Sequence, residues 1–261
     1  MSVPGRALLV VGGGKMGEAL LAGWLGRGIA RERVLVVEPS AERRAVLAEA
    51  HGVATVGDAG GLDPSLDPEL LLVAVKPQII ERALPAYAPR LAPDTLVLSI
   101  AAGKPMAELE RLLGRRRAIV RAMPNTPAAV GAGVTVLCAN AAASTAHRTL
   151  AEQLMGMVGA VHWVEDEDLF HAVTAVSGSG PAYVFLLIEA MAAAGVRVGL
   201  TEPLAMALAR ATVVGAGELA RRSDAAASRL RSDVTSPGGT TEAPLAVLLP
   251  PDGLQPLLAR A

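Results

Sequence analysis

The sequence predicts a doubly wound α/β fold followed by an all-helical domain. Short apolar runs alternate with helical stretches as far as about residue 165, which is typical of βαβ units around a parallel sheet. After that point the chain contains long, alanine-rich helical stretches and no strand pattern. We therefore expect a sheet domain over residues 1–165 and an all-helical domain over residues 166–261.

Seven apolar runs are predicted to be strands, at residues 7–11, 34–38, 70–75, 95–100, 118–123, 134–138 and 161–165. Several are apolar on both faces, which suits strands that helices cover on both sides. Helices are predicted between them at residues 18–26 and 41–49. In the second part, residues 168–198 are predicted to be helical with an interruption at residues 177–181. Residues 202–222 form a further predicted helix, with Thr201 as its N-cap and Pro203 in its first turn.

Composition excludes several classes of protein. The 261 residues carry a net charge of −1, so neither nucleic acid nor an anionic membrane is expected as a partner. One cysteine excludes an internal disulfide, and the four histidines lack metal-ligand spacing, so no metal site is expected. No apolar run reaches membrane-spanning length without a charge, and the first is too short for a signal peptide. A cytoplasmic protein is expected.

A glycine-rich segment follows the first predicted strand and opens the first helix. Gly12, Gly14 and Gly17 form the pattern G-x-G-x-x-G, within the run Gly12-Gly13-Gly14-Lys15-Met16-Gly17. In this context the first glycine permits a tight turn, the second lets the backbone approach a pyrophosphate, and the third lets the helix pack on the strand. The helix N-terminus offers free N–H groups to the phosphates. The pattern predicts a dinucleotide-binding domain of the Rossmann type.

The residues after the second strand leave the choice of dinucleotide open. Glu38 ends that strand, where an acidic residue bonds a ribose 2′-hydroxyl and repels a 2′-phosphate. Ser40, Arg43 and Arg44 lie just beyond and could hold a phosphate, although the two arginines could equally be surface residues of a helix. Either NADPH or NADH is therefore the expected cofactor.

Four further segments resemble pyrroline-5-carboxylate reductases. They are Ala74-Val75-Lys76-Pro77-Gln78, Met123-Pro124-Asn125-Thr126-Pro127, the run from Val173 to Tyr183 that contains Ser-Gly-Ser-Gly-Pro, and Asp233-Val234-Thr235-Ser236-Pro237-Gly238-Gly239-Thr240-Thr241. Together with the glycine loop they occur in the order of the family, from about residue 7 to the end of the chain. The resemblance implies an NAD(P)H-dependent reductase that converts a cyclic imine to proline, with a helical domain that forms homodimers or rings of dimers.

The resemblance also implies the roles of individual residues. The backbone of Gly12 to Gly17 would hold the pyrophosphate, and the nicotinamide and its ribose would lie against Ala74, Val75, Lys76, Pro77, Ile100, Ala101 and Ala102. Ser236 and the N–H groups of Gly239 and Thr240 would bind the substrate carboxylate. The hydroxyl of Thr241 would hydrogen-bond the ring nitrogen, and Glu167 matches an acidic position near the substrate that could balance an iminium charge.

The residues themselves leave alternatives open for two of these segments. The Pro-Gly-Gly-Thr-Thr run is also an ordinary start of a capped helix, and the glycines of Ser177-Gly178-Ser179-Gly180-Pro181 could serve close packing. The chain departs from the family in having Glu38-Pro39 where a polar or basic pair is frequent. It also stops at Ala261, where relatives usually continue, so either a weaker dimer or exposed helical surface is expected.

Other functions use the same architecture. A β-hydroxy acid dehydrogenase usually needs a lysine base in its second domain, and this chain has no lysine after Lys104. A non-catalytic NAD(P)H sensor would not need the run from Ser236 to Thr241. A reductase of a related cyclic imine, with a six-membered ring, remains compatible with the motifs.

Overall fold

A computed structural model of the protein describes residues 6–236 and 238–261. Its first part is built around an eight-stranded sheet of order β3-β2-β1-β4-β5-β6-β7-β8. The strands are β1 Ala7–Val11, β2 Val34–Val37, β3 Ala54–Val56, β4 Pro68–Val73, β5 Leu96–Ser99, β6 Ile119–Met123, β7 Gly133–Ala139 and β8 Gly159–Trp163. This order, with β1 and β4 adjacent at the centre, confirms the doubly wound α/β prediction.

The helices connect the strands and then make up the rest of the chain. They are α1 Lys15–Gly26, α2 Ala41–His51, α3 Ile80–Ala83, α4 Met106–Leu113, α5 Thr145–Gly156, α6 Phe170–Val173, α7 Gly180–Arg197, α8 Glu202–Arg221, α9 Ala227–Asp233, α10 Glu242–Leu248 and α11 Leu254–Arg260. Every regular element that the structure describes after residue 165 is helical, as predicted. Short 3₁₀ turns flank α3 and fill several loops.

The central strands of the sheet are buried on both faces, which explains why β1 and β2 are continuously apolar. Side chains alternate between the faces of a strand. In β1, Leu8 and Val10 therefore pack with α1, α2 and α5, while Leu9 and Val11 pack against α3 and α4 on the other face. Trp24 of α1 is fully buried and donates its indole N–H to the carbonyl of Leu154, 2.9 Å away, which joins α1 to α5.

Two features of the sheet differ from the prediction. First, β7 runs antiparallel to β6, whereas the prediction was a parallel sheet. Only residues 124–132 join these strands, and a parallel crossover needs about a dozen residues or more. Second, β3 was missed because it is an edge strand of three residues, too short to show a hydrophobic pattern.

The predicted interruption at residues 177–181 is a π-helical turn, Thr174–Gly178, that joins α6 to α7 without breaking the helical path. The Ser179 N–H donates to the Thr174 carbonyl at 2.8 Å, the i→i−5 bond of a π turn. The hydroxyls of Thr174 and Ser177 bond the carbonyls four residues earlier. Helix α7 then begins at Gly180 with Pro181 in its first turn, as predicted.

The chain separates into two compact units, residues 1–183 and residues 184–261. In the second unit α7 packs on α8 through small side chains, with Ala192, Ala205 and Ala209 buried at the contact. Most large apolar side chains of this unit are exposed, among them Phe185, Leu186 and Val214. By length and composition the helical run Glu167–Arg197 is apolar enough to cross a membrane, with a mean hydropathy of 1.5 in its most apolar window.

Candidate active site

The glycine loop closes over the carboxyl ends of the two central strands. Gly12 has φ +103°, a conformation that side chains with a Cβ rarely adopt, and its N–H bonds the Val37 carbonyl at 2.9 Å. A Cβ on Gly12 would lie 2.6 Å from the Ala74 carbonyl oxygen, and one on Gly17 would overlap the Gly12 oxygen. These glycines are therefore required by the close packing of β1, α1 and β4.

Gly14 differs from its neighbours because it faces open space. A Cβ built on it would meet no heavy atom of the described residues within 4 Å. Its carbonyl accepts the Glu18 N–H at 2.9 Å, so it starts α1 and leaves the N–H groups of the first turn without helical partners. An uncovered helix N-terminus beside a glycine fits a pyrophosphate.

Two adjoining cavities form a groove at this edge of the sheet. The first has a volume of about 470 Å³ and the second about 380 Å³, and both are lined by Gly14, Ala74, Val75 and Lys76. Twelve of the predicted cofactor residues line the groove: Gly12, Gly14, Lys15, Met16, Glu38, Ala74, Val75, Lys76, Pro77, Ile100, Ala101 and Ala102. The other three lie behind it, since Gly13 bonds Glu38, Gly17 packs beneath the loop and Ser40 caps α2.

The side chain of Glu38 is held in the wall of the first cavity. One carboxylate oxygen accepts the Gly13 N–H at 2.9 Å and the other accepts the Ser40 N–H at 3.0 Å. Arg43 donates to the Gly13 carbonyl at 2.6 Å and to the Glu18 carboxylate. These hydrogen bonds tie the glycine loop to the start of α2. Loss of an Arg43 hydrogen bond would therefore change the conformation of the glycine loop.

The sequence did not indicate that the segment after β4 forms one wall of the first cavity. Ile79, Arg82 and Tyr87 line the first cavity from α3 and its flanking 3₁₀ turns. Burial, together with the negative charge of Asp58, raises the pKa of Tyr87 to about 12, so the phenol is neutral at any physiological pH. The position of this segment could have indicated its place in the cavity wall, because a segment that follows a central strand lies at the carboxyl edge of the sheet.

Glu167 forms an ion pair rather than standing free. One of its oxygens accepts from the Arg121 guanidinium and from the Met106 N–H. Arg121 is buried in β6 and lies over the Phe170 ring, 4.5 Å from its centroid. In this structure Glu167 is therefore the ion-pair partner of Arg121. Its predicted place near the substrate stays a prediction.

Replacing Glu167 by glutamine is expected to lower the free energy of unfolding by about 1–2 kcal/mol, because the buried Arg121 would lose its counter-charge. Glu165→Gln is the matched control, since that carboxylate is 82% exposed and its pair with Arg148 is open to solvent. Urea unfolding of both variants would measure the difference. Equal unfolding midpoints for the two variants would refute the structural role.

The predicted substrate loop lies in the second unit, and Pro237 within it falls outside the described residues. The Gly239 N–H donates to the Ser236 carbonyl at 2.9 Å, and the Gly238 N–H donates to the Glu242 carboxylate at 2.7 Å. Thr241 occupies the N-cap position of α10, yet among the described residues its side chain caps no helix N–H. The Gly239 N–H is thus used within a turn here, while the Thr241 hydroxyl is not used for capping.

Asn125 connects the sheet with the π-helical turn. Its side-chain amide donates to the Ser177 carbonyl at 3.1 Å and accepts the Val134 N–H at 2.9 Å. Its neighbours Met123 and Pro124 line the second cavity. The Met-Pro-Asn-Thr-Pro segment therefore holds the turn beside the groove. Within the described ranges no cluster of three His, Cys, Asp or Glu side chains could hold a metal ion.

Comparisons with known proteins agree with this arrangement. Residues 167–261 match a family model described as pyrroline-5-carboxylate reductase dimerisation, and residues 7–103 match one described as NADP oxidoreductase, coenzyme F420-dependent. The pyrroline-5-carboxylate reductase of Pseudomonas aeruginosa is 42% identical over 93% of this chain and 88% of its own length.

Solved structures extend the similarity to the backbone. The pyrroline-5-carboxylate reductase of Coxiella burnetii has a TM-score of 0.90 at 37% identity, covering 98% of this chain and 94% of its own. The Plasmodium falciparum enzyme, solved with NADP bound, has a TM-score of 0.80 at 30% identity, covering 95% and 91%. Because identity well above 30% extends over nearly the whole chain, this protein belongs to the pyrroline-5-carboxylate reductase family.

Proposed function

We propose that the chain is an oxidoreductase that reduces 1-pyrroline-5-carboxylate to L-proline with NAD(P)H, the last step of proline biosynthesis. The observation that carries the proposal is the 42% identity to a pyrroline-5-carboxylate reductase over 93% of the chain. The groove at the carboxyl edge of the sheet also supports the proposal, because open α/β sheets bind dinucleotides there.

The bound cofactor supplies the hydride. The chain must hold the imine carbon beside the nicotinamide and exclude water from both. The second cavity suits a nicotinamide ring, because Ile100, Ala101 and Met123 give it a largely apolar wall. Its other wall, from Gly14 to Met16, belongs to the phosphate-binding turn, so one groove can hold the phosphates and the ring together. Positioning of this kind supplies much of the rate enhancement in such reactions.

The substrate would be bound by the loop before α10. Ser236 and the N–H groups of Gly239 and Thr240 would bind its carboxylate, and the Thr241 hydroxyl would hydrogen-bond the ring nitrogen. The left-handed backbone at Gly238, with φ +70°, supports this role because it folds the loop into a tight turn. Binding would require the Gly239 N–H to exchange its turn hydrogen bond with Ser236 for one with the substrate.

The direct test is oxidation of NADH and of NADPH, followed by absorbance, with 1-pyrroline-5-carboxylate as substrate. Turnover to L-proline, identified by chromatography, is the expected result. Absence of turnover with both cofactors, in folded protein that binds them, would contradict the proposed reaction. Turnover only with a six-membered cyclic imine would replace the substrate and keep the reaction class.

We further propose that the protein is a cytoplasmic homodimer, with the second copy covering the apolar surface of α7 and α8. The two helices expose the large apolar side chains of Phe185, Leu186, Leu187, Leu208 and Val214. Extensive exposed apolar surface is typical of protein interaction sites. The dimerisation model spans these helices. A partner helix pair would bury this surface, and Glu167–Arg197, of which only 6% of the most apolar window is buried within one copy, would then be a core helix of the dimer.

Leu186→Glu is expected to yield monomers, because a carboxylate would be buried without a partner in the dimer interface. Light scattering after size exclusion would measure the mass of each species. Val46→Glu is the control, since Val46 is also an exposed apolar residue but lies on α2, outside the segment that matches the dimerisation model. A dimeric Leu186→Glu variant, or a monomeric wild type, would contradict the proposed interface.

A further inference from the structure

We propose that this chain prefers NADH to NADPH and that the carboxylate of Glu38 sets this preference. The inference rests on the proposed function, in which either cofactor could supply the hydride. It concerns the adenosine half of the groove, away from the residues that contact the substrate.

Glu38 stands where the adenosine ribose binds in a Rossmann-type domain, at the end of β2 and in the wall of the first cavity. The Gly13 N–H in the glycine loop holds one of its oxygens, and the Ser40 N–H at the start of α2 holds the other. Each carboxylate oxygen can accept more than one hydrogen bond, so a ribose 2′-hydroxyl can be added to this arrangement. A 2′-phosphate, with a charge of about −1.5 to −2, would meet the carboxylate as a like charge.

The carboxylate cannot easily turn away to admit a phosphate. Rotation of the Glu38 side chain would break its hydrogen bonds to Gly13 and Ser40 and would remove one of the links between the glycine loop and the start of α2. Asp58 adds a second carboxylate to the same cavity, and it is held by the N–H groups of Gly60 and Gly61. This end of the groove therefore presents two fixed negative charges.

Neither of the two arginines after β2 forms an ion pair with Glu38 among the described residues. Arg43 is neutralised by Glu18 and bonded to the Gly13 carbonyl. Arg44 donates to the carbonyls of Glu38 and Pro39, each at 2.8 Å, and its guanidinium lies beside Gly57 at the edge of the cavity. Among the described residues Arg44 thus bonds backbone carbonyls and no carboxylate, so it can turn towards a 2′-phosphate once the like charge of Glu38 is removed.

Two other cationic residues line the cavity, and among the described residues neither forms an ion pair with Glu38. Lys76 is shared with the second cavity and so lies towards the phosphates and the nicotinamide. Arg82 is exposed and comes from α3, which follows β4 and not β2. The segment after β2, where the 2′-group of a dinucleotide is recognised, carries the unpaired negative charge.

The test measures equilibrium binding of NADH and of NADPH by cofactor fluorescence, together with kcat/KM for each, in the wild type and in Glu38→Ser. We expect the wild type to bind NADH at least about 10-fold more tightly, and the variant to shift the NADPH-to-NADH ratio of affinities by about 100-fold towards NADPH. Glu38→Gln removes the charge but keeps a hydrogen-bond acceptor for the loop. It should shift the ratio in the same direction, and so separates the effect of the charge from any weakening of the loop by Glu38→Ser. Glu42→Ser, on the exposed face of α2, is the matched control and should leave the ratio unchanged.

Tighter binding of NADPH by the wild type would overturn the inference, as would an equal loss of both cofactors in Glu38→Ser and in Glu38→Gln. A preference for NADH without turnover would support the role of Glu38 and contradict only the proposed reaction. Adding Arg44→Ala to Glu38→Ser should remove the gained affinity for NADPH. If the double variant keeps that affinity, Arg44 is not the phosphate ligand, and the role proposed for the segment after β2 is wrong.

Discussion

Gly12→Ala is expected to weaken binding of NADH or NADPH by at least about 100-fold and to lower the free energy of unfolding. The φ of +103° strains any residue with a Cβ by about 1–3 kcal/mol. The added methyl would also stand 2.6 Å from the Ala74 carbonyl oxygen and 2.8 Å from its carbon. These are backbone atoms at the end of a central strand, so relief requires the loop or β4 to move, and either movement distorts the groove.

Gly14→Ala is the matched control for the effect on stability. Gly14 has φ −68°, which alanine adopts freely, and its Cβ would meet no described atom within 4 Å. The unfolding midpoint should therefore stay near that of the wild type. Cofactor affinity should still fall, because the methyl would occupy the space into which a pyrophosphate approaches.

Thermal unfolding and cofactor fluorescence would separate the two variants. The expected pattern is loss of stability and of binding in Gly12→Ala, against loss of binding alone in Gly14→Ala. A Gly12→Ala variant as stable as Gly14→Ala would mean that the close approach of the loop to β4 is not needed for folding. Full cofactor affinity in Gly14→Ala would place the pyrophosphate elsewhere.

The sequence predicts the central part of this fold well because local pattern and tertiary position coincide there. The run Ala7–Val11 is apolar on both faces, and the next six residues contain the glycines that the turn over β4 requires. The direction of β7 could not be predicted in the same way. Strand direction depends on how the connecting segment reaches the next position, and an apolar run is the same in either direction.

The sequence indicates where the glycine loop and the strand ends lie, but it does not indicate which side chains pair with each other. The glycine loop and the ends of β4 and β5 are recognisable because their residue types are dictated by local geometry. The pairing of Arg121 with Glu167 joins residues far apart in the chain, and nothing local specifies it. Arg43 illustrates the same limit, because its engagement by Glu18 decides whether it is available to a phosphate.

Thr241→Ala is expected to lower kcat/KM for 1-pyrroline-5-carboxylate by one to two orders of magnitude, about 1.4–2.7 kcal/mol of transition-state stabilisation. The proposed hydrogen bond to the ring nitrogen orients the imine towards the cofactor, and alanine cannot make it. The free energy of unfolding should change little, because the Thr241 side chain caps no N–H of α10 among the described residues. In an ordinary N-cap the same substitution costs about 0.5–2 kcal/mol.

Two further variants separate the hydroxyl from the loop that carries it. Thr241→Ser keeps the hydroxyl and should retain activity within a few-fold of the wild type. Thr240→Ala changes an exposed side chain whose proposed contribution is its backbone N–H, so its kinetics should match those of the wild type. Wild-type kcat/KM in Thr241→Ala would eliminate the role of the hydroxyl. Equal losses in Thr240→Ala and Thr241→Ala would instead show that the substitutions act through the conformation of the loop, because only the second removes a group proposed to touch the reacting ring.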